Sequence, residues 1–243
     1  MMTKLPLMLG LLLLAGPALA QAEHEPDSVI LLHGLGRGPW AMELLERRLS
    51  DAGYRVHNLG YPHRADSIEE IVAAVHSRYL ECCYQDGGRI HFVTHSLGGL
   101  VIRAYLAEHP PAELGRAVML APPNGGSEIA DRFRGSWLFR TLLGPMAPQL
   151  GTGPEDLPAR LPVPNCDVGV IAGDRWINPL GPFVLPPPHD GTVAVSRTHL
   201  AGMKDHLVVP HTHTFIMNST RVAREIIHFL RHGVFEHGGE DAA

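Results

Sequence analysis

Short apolar runs alternate along the chain with longer segments in which apolar residues recur three or four positions apart. The unbroken runs, such as residues 28–32, are typical of strands that are buried on both faces of a parallel sheet. The spaced segments are typical of amphipathic helices. This alternation predicts one α/β domain with a mostly parallel central sheet and helices on both of its faces. The predicted strands are residues 28–32, 54–61, 90–93, 116–121 and 167–174, and the predicted helices are residues 40–52, 68–84, the segment from 97 onward, and 219–232.

The chain is organised around residues 89–106, where a predicted strand turns directly into a predicted helix. Ser96 stands at the corner, and Gly98 and Gly99 follow it. Because glycine has no side chain, the helix can pack close to the neighbouring strand at these two positions. A serine at such a corner is either a reactive hydroxyl held at a sharp turn or simply a cap for the helix N-terminus.

A second glycine-rich segment follows the first predicted strand, where residues 33–36 read His-Gly-Leu-Gly. Glycines at this point allow the chain to leave the sheet with its backbone N–H groups exposed. The alternative interpretation is a turn that only ends the strand.

Both segments resemble motifs of the α/β-hydrolase superfamily. Residues 94–98, Thr-His-Ser-Leu-Gly, resemble the Gly-x-Ser-x-Gly nucleophile elbow, although Thr94 replaces its first glycine. Residues 33–36 resemble the oxyanion loop of bacterial lipases and esterases. The resemblance implies that Ser96 is the nucleophile and that the backbone N–H groups of Leu35 and Leu97 form the oxyanion hole. The chain begins almost at the strand that carries this loop, so the first antiparallel strands of the fold are expected to be missing.

The catalytic acid of such a hydrolase belongs on a loop after the strand at residues 167–174. Asp174 and Asp190 both satisfy this requirement. Residues 190–193, Asp-Gly-Thr-Val, resemble the acid loop of lipase-like members of the family, so Asp190 is preferred. The alternative is that Asp190 only forms an Asp-Gly turn.

The catalytic base is sought among His206, His211 and His213, which precede the last predicted helix. His213 is preferred because residues 213–216 resemble the histidine loop of the family, and His211 is the second choice. Ser96, Asp190 and His213 then follow the chain order of α/β-hydrolase triads. His211 and His213 could instead bind a metal, but no third ligand with zinc spacing accompanies them, so neither a metal nor a cofactor is expected.

Residues 124–165 interrupt the alternation of strands and helices, and the segment that follows is rich in proline. By resemblance to related hydrolases, this insertion after the strand ending near Ala121 is predicted to cover the active site as a lid. Trp137, Leu138, Leu142 and Met146 could line one apolar face of a short helix within it, which would suit lipid-like substrates and transient contact with a membrane surface. The alternative is that these side chains complete the core.

Residues 1–20 begin with Lys4, continue with a leucine-rich core and end in small residues at Ala20. These are the three zones of a secretory signal peptide, with cleavage predicted after Ala20. A membrane anchor is the alternative, but the apolar run is shorter than the roughly 20 residues that span a bilayer. Residues 21–243 are therefore expected to form one mature domain in the periplasm or outside the cell.

Three cysteines remain in that mature chain, Cys82, Cys83 and Cys166. An oxidising compartment permits a disulfide, and an odd number of cysteines leaves at least one thiol over. A bridge from Cys166 to one of the adjacent pair is a possible pairing.

The formal net charge of −5 and the pI of about 6.3 give no basic surface for nucleic acid. Together with the motifs, they predict an exported serine hydrolase that cleaves small-molecule or lipid-like carboxylic esters. An acyltransferase or an amidase on the same fold is the enzyme alternative. A non-catalytic, lipid-binding envelope protein is the alternative of a different class.

Overall fold

The computed structural model describes residues 25–62, 64–179 and 181–238, in which six strands form one central sheet. The order in the sheet is β2-β1-β3-β4-β5-β6, and every neighbouring pair is parallel. The prediction of a mostly parallel sheet is confirmed. The strands are β1 (Ser28–Leu32), β2 (Arg55–Leu59), β3 (Ile90–His95), β4 (Leu114–Leu120), β5 (Val168–Gly173) and β6 (Asp205–Val209).

Longer helices cover both faces of the sheet because alternate strand residues point to opposite sides. These helices are α1 (Glu43–Asp51), α2 (Ile68–Cys82), α3 (Leu97–Glu108) and α9 (Thr220–His232). On β1, Ile30 and Leu32 belong to the core that includes side chains of α2 and α3, whereas Val29 and Leu31 belong to the core under α1 and α9.

Local sequence explains where two of these helices begin and end. Ser67 caps α2 by accepting a hydrogen bond from the N–H of Glu70, and the Glu70 carboxylate accepts the N–H of Asp66, much as in a capping box. Ser219 caps α9 by accepting a hydrogen bond from the N–H of Val222. Gly233 ends α9 in the left-handed conformation.

Two details of the sheet and its flanks differ from the sequence-based expectation. The strand β6 was missed, because the first two residues of Asp205–Val209 are polar and only partly buried. Residues 39–51 divide into a 3-10 turn, Pro39–Met42, and α1, because a proline at the first helical turn favours a separate start. Within the described residues the sheet begins at β1, and all its strand pairs are parallel.

The insertion between β4 and β5 consists of short helices and turns: α4 (Glu128–Phe133), α5 (Trp137–Leu143), the 3-10 turn Ala147–Gln149 and α6 (Leu157–Arg160). Trp137, Leu138 and Leu142 lie on α5 and are exposed, so they do not complete the core. Met146 lies beyond the end of α5 and is buried. The expected face of four apolar residues is therefore wrong, because Gly144 ends the helix before Met146.

A buried arginine of α3 holds the end of this insertion. Arg103 donates from Nε to the carbonyl of Pro162 at 3.1 Å and from one terminal nitrogen to the carbonyl of Pro158 at 3.0 Å. The same nitrogen also donates to the carbonyl of Leu161. Backbone oxygens thus satisfy a guanidinium that is only 4% exposed, and the insertion is attached to the helix that follows Ser96.

The cysteines pair differently from the pairing considered above. Cys82 is bonded to Cys83, and Cys166 is a free, half-buried thiol. Cys166 is separated from the adjacent pair by the topology of the fold. Cys82 and Cys83 lie at the end of α2, which packs against α3 and β2. Cys166 precedes β5, which lies two strand spacings of about 4.8 Å each beyond β3.

The predicted signal peptide, residues 1–20, lies outside the described residues, so export remains a prediction. None of the helices in the described part of the chain has the length and apolarity needed to cross a bilayer.

Three short helices remain in the loops, α7 (Gly181–Val184), α8 (Val195–Thr198) and the 3-10 turn Ile216–Asn218.

Candidate active site

The site lies at the carboxyl edge of the sheet, where five neighbouring strands end side by side. Leu32 of β1 pairs with Thr94 of β3, and Gly173 of β5 pairs with Val209 of β6. Parallel strands place all their following loops at this one edge, which is where open α/β sheets bind ligands. Leu35 follows β1, Ser96 follows β3, the insertion follows β4, Asp190 follows β5 and His213 follows β6.

Ser96 occupies a strained turn between β3 and α3. Its φ of 52° and ψ of −119° are unusual for a residue with a side chain, and such strain is typical of functional sites. The backbone around it is tightly packed, since a Cβ on Gly98 would lie 2.6 Å from the carbonyl oxygen of Leu32. The Ser96 side chain makes no capping hydrogen bond to α3. Ser96 occupies the N-cap position of α3, but its hydroxyl does not cap the helix.

Ser96, His213 and Asp190 form one hydrogen-bonded chain. The Ser96 Oγ lies 2.9 Å from Nε2 of His213, and Nδ1 of His213 lies 2.7 Å from Oδ2 of Asp190. A carboxylate can only accept, so Nδ1 carries the proton and Nε2 is the acceptor for the serine hydroxyl. This tautomer prepares His213 to remove a proton from Ser96.

The backbone holds Asp190 in place. Its Oδ1 accepts the N–H groups of Thr192 at 2.9 Å and Val193 at 2.7 Å, which leaves Oδ2 for His213. The N–H of His213 also donates to the Asp190 carbonyl at 3.1 Å. These bonds compensate for the burial of a carboxylate that is only 2% exposed. The second candidate acid, Asp174, instead forms a surface ion pair with Arg175 at 3.0 Å.

The other two candidate histidines lie elsewhere. His206 contacts the hydroxyl of Thr198 at 2.9 Å and stacks on His199. Burial, assisted by His199, lowers the pKa of His206 to about 4. His211 accepts the N–H of Arg175 at its backbone carbonyl, and it is His213 that contacts both Ser96 and Asp190.

The two expected oxyanion-hole residues flank Ser96. Leu97 is the first residue of α3, so its N–H has no acceptor within the helix. Leu35 follows Gly34, and a Cβ on Gly34 would lie 3.1 Å from Cβ of Ser96. The loop after β1 therefore passes close to the serine, and a side chain at Gly34 would force its neighbours to shift, since its Cβ would also lie 2.8 Å from Nδ1 of His95.

The model of the Alpha/beta hydrolase family matches residues 29–241 of this chain. The chain belongs to that family. No curated protein matches it at the level of sequence.

Solved structures of bacterial hydrolases share the fold with this Alpha/beta hydrolase at low identity. The mature lipase BlEst2 of Bacillus licheniformis is 17% identical, with a TM-score of 0.61 over 83% of this chain and 90% of that chain. A metagenomic carboxyl esterase is 18% identical, with a TM-score of 0.60 over 80% of this chain and 66% of that chain. Phospholipase PlaB of Legionella pneumophila is 18% identical, with a TM-score of 0.56 over 71% of this chain and 45% of that chain.

A buried histidine that the sequence analysis did not identify contacts the backbone of His213 in this hydrolase. His95, the residue before Ser96, lies with Nε2 2.9 Å from the backbone carbonyl of His213. Burial, together with the neighbouring His213, holds the pKa of His95 well below its usual range. His95 is therefore neutral near pH 7, and its N–H can donate to the segment that carries His213 without adding a charge.

A cavity of about 270 Å³ opens beside Ser96 and His213. The insertion supplies most of its apolar wall, and Phe139 and Leu143, one helical turn apart on α5, point into it. Sequence reasoning missed these two residues because α5 is apolar on more than one face. The lining consists of Leu35, Arg37, Ser96, Pro123, Ser127, Ile129, Ala130, Phe139, Leu143, Ala147, Leu150, Thr192, Val193, His213 and Thr214.

The described residues offer one group with metal-ligand geometry, His57, Cys82 and Cys83, whose ligand atoms lie within 4.8 Å of one another. The two sulfur atoms are bonded to each other, which removes them as thiolate ligands. None of the three lines the cavity beside Ser96.

Proposed function

We propose that this protein is a serine hydrolase that cleaves carboxylic esters through an acyl-enzyme. The observation that carries the proposal is the continuous chain of hydrogen bonds from Asp190 through His213 to Ser96, which ends at a largely apolar cavity. Such a chain is the arrangement by which a hydroxyl becomes a nucleophile at neutral pH.

In the first half of the proposed reaction, Ser96 Oγ attacks the ester carbonyl and His213 Nε2 takes the hydroxyl proton. The resulting imidazolium is stabilised by the Asp190 carboxylate 2.7 Å from Nδ1. The tetrahedral intermediate then collapses, the carbon–oxygen bond to the alcohol breaks, and His213 returns the proton to the leaving oxygen. The acyl group is left on Ser96.

In the second half, a water molecule gives a proton to His213 and attacks the acyl-enzyme. Collapse of this second intermediate releases the acid, and Ser96 regains its proton from His213. The backbone N–H groups of Leu35 and Leu97 are proposed to bind the negative oxygen of both intermediates. Each such donor contributes about 2.7–4 kcal/mol to the transition state.

The size and lining of the cavity support a substrate with an acyl chain of short or medium length. Its volume of about 270 Å³ is just below the roughly 300–1,000 Å³ of typical ligand sites. Its apolar wall favours an acyl chain over a polar group. The solved neighbours named as a lipase and a carboxyl esterase support esters as the substrate class.

Release of nitrophenol from a series of acyl esters, from acetyl to palmitoyl, tests this proposal. We expect the highest kcat/KM for acyl chains of about four to eight carbons, and a loss of at least about 10³-fold in Ser96→Ala. Ser77→Ala, which removes an exposed hydroxyl on α2, is the matched control and should match the wild type.

Two results would contradict the proposal. Activity that survives in Ser96→Ala would assign the hydrolysis to another group. A folded wild type that is inactive on every ester would favour the amidase, acyltransferase or lipid-binding alternatives.

A further inference from the structure

Arg37 lies in the loop after β1, two residues beyond the proposed oxyanion donor Leu35. Its side chain lines the same cavity as Ser96 and His213. It also lines a second cavity of about 300 Å³ beside Trp40 and Phe215. Arg37 thus lies between the cavity beside Ser96 and this neighbouring groove.

Within the described residues, the guanidinium of Arg37 has neither a hydrogen-bond acceptor nor a carboxylate at ion-pair distance. The guanidinium carbon lies 5.7 Å from the centre of the Trp40 ring, and its charge helps to lower the pKa of the buried His95. Burial lowers the pKa of Arg37, and no acidic neighbour opposes that shift. An arginine remains charged at neutral pH even so. The nitrogens of Arg37 are absent from the buried atoms that lack a partner, so they remain accessible to a ligand or to water.

Several other partly buried arginines do have acceptors, although Nε of Arg221 has none. Arg116 donates to the carbonyl of Leu230 at 2.7 Å, and Arg197 donates to the Glu128 carboxylate at 2.7 Å. Arg103 is satisfied by three backbone oxygens. Arg37 differs from them in facing a cavity instead of a protein acceptor.

The charges that line the cavity are complementary to an anionic group on a bound ligand. Among the described residues that line it, Arg37 is the one permanent charge, and no carboxylate accompanies it. The part of the wall that Phe139 and Leu143 of the insertion form is apolar. A ligand that binds both Arg37 and the apolar wall would combine an anionic group with an apolar chain.

We infer that Arg37 determines specificity by binding an anionic group, a carboxylate or a phosphate, on the ester substrate. This inference rests on the proposed ester hydrolysis and narrows its substrate class to anionic amphiphiles. The anion forms charge-assisted hydrogen bonds with a guanidinium that has no other partner, while the apolar part of the substrate lies against the insertion. Arg37 acts on binding and takes no part in bond making or breaking.

Matched ester pairs test this inference. The acyl-side pair is 4-nitrophenyl hexanoate and the 4-nitrophenyl monoester of adipate, which differ in a terminal carboxylate on a six-carbon chain. The alcohol-side pair is 4-carbamoylphenyl butyrate and 4-carboxyphenyl butyrate. Each is measured with the wild type, Arg37→Gln, Arg37→Lys and the control Arg132→Gln. Arg132 is exposed on α4 and does not line the cavity.

We expect Arg37→Gln to lower kcat/KM for the anionic member of at least one pair by about 10- to 100-fold, mainly through KM. The neutral member should change less than about threefold. Arg37→Lys keeps the charge but loses the planar fork, so it should retain more of the preference than Arg37→Gln. Arg132→Gln should behave as the wild type.

Three outcomes would overturn the inference, and they can be told apart. If the anionic and neutral members lose activity equally in Arg37→Gln, then Arg37 assists the reacting carbonyl or the loop and does not recognise an anion. If neither member of either pair changes, Arg37 is only a solvated side chain. If the wild type hydrolyses no ester at all, the proposed function fails and the inference fails with it.

Discussion

At the scale of single residues, the geometry of Asp190 decides how the proposed triad works. Its two oxygens have separate tasks, because Oδ1 accepts the N–H groups of Thr192 and Val193 and Oδ2 faces Nδ1 of His213. The carboxylate therefore determines both the orientation and the tautomer of the histidine.

Asp190→Asn should lower kcat by about 10³- to 10⁴-fold with little change in fold. The backbone N–H groups of Thr192 and Val193 will retain the amide oxygen, so the NH₂ group will face His213. An NH₂ group can only donate, which places the histidine proton on Nε2, where it cannot accept the proton of Ser96.

The matched control for this prediction is Asp174→Asn, since Asp174 is the acid that the sequence left as an alternative. It pairs with Arg175 on the surface, and its loss should leave kcat within about twofold. A larger loss of kcat in Asp174→Asn than in Asp190→Asn, measured on the same soluble ester, would show that the acid is wrongly assigned.

At the scale of elements, α5 has two different apolar faces. Phe139 and Leu143 line the cavity, whereas Trp137 and Leu142 are 76% and 64% exposed. Large apolar side chains at such exposure on one short helix are typical of a surface that meets another apolar phase. We propose that α5 contacts a lipid surface while its other face contacts the acyl chain.

The double variant Trp137→Ser, Leu142→Ser should bind phosphatidylcholine vesicles at least about tenfold more weakly than the wild type, as measured by co-sedimentation. Hydrolysis of a soluble butyrate ester should be unchanged, because neither side chain lines the cavity.

Leu80→Ser is the control for lipid binding, since Leu80 is 50% exposed on α2, away from the insertion. Equal vesicle binding by the wild type and the double variant, or no binding by the wild type, would rule out α5 as the contact.

At the scale of the whole molecule, sequence reasoning succeeded where the signal is local. The strand, serine and glycines around Ser96 lie within one short segment, and the packing of Gly98 against Leu32 shows why glycine stands there. The parallel sheet follows from the alternation of buried strands and helices.

Features that depend on contacts distant in sequence could not be predicted. Arg37 and Phe139 are far apart in the chain and meet at one cavity only after folding. Arg103 is satisfied by carbonyls more than fifty residues away, which no local pattern reveals. The strand β6 was missed because it lies at the edge of the sheet, where polar and partly exposed residues are tolerated.

The central claim is that Ser96 is the nucleophile, and covalent labelling tests it most directly. The wild type is incubated with an alkyl fluorophosphonate, and the modified residue is located by peptide mass spectrometry. A nucleophilic serine displaces fluoride and keeps the phosphonyl group. We therefore expect one adduct per chain, on Ser96. Labelling should be far slower in His213→Ala and absent in Ser96→Ala. An adduct on another residue, or no adduct on a folded wild type, would contradict the account.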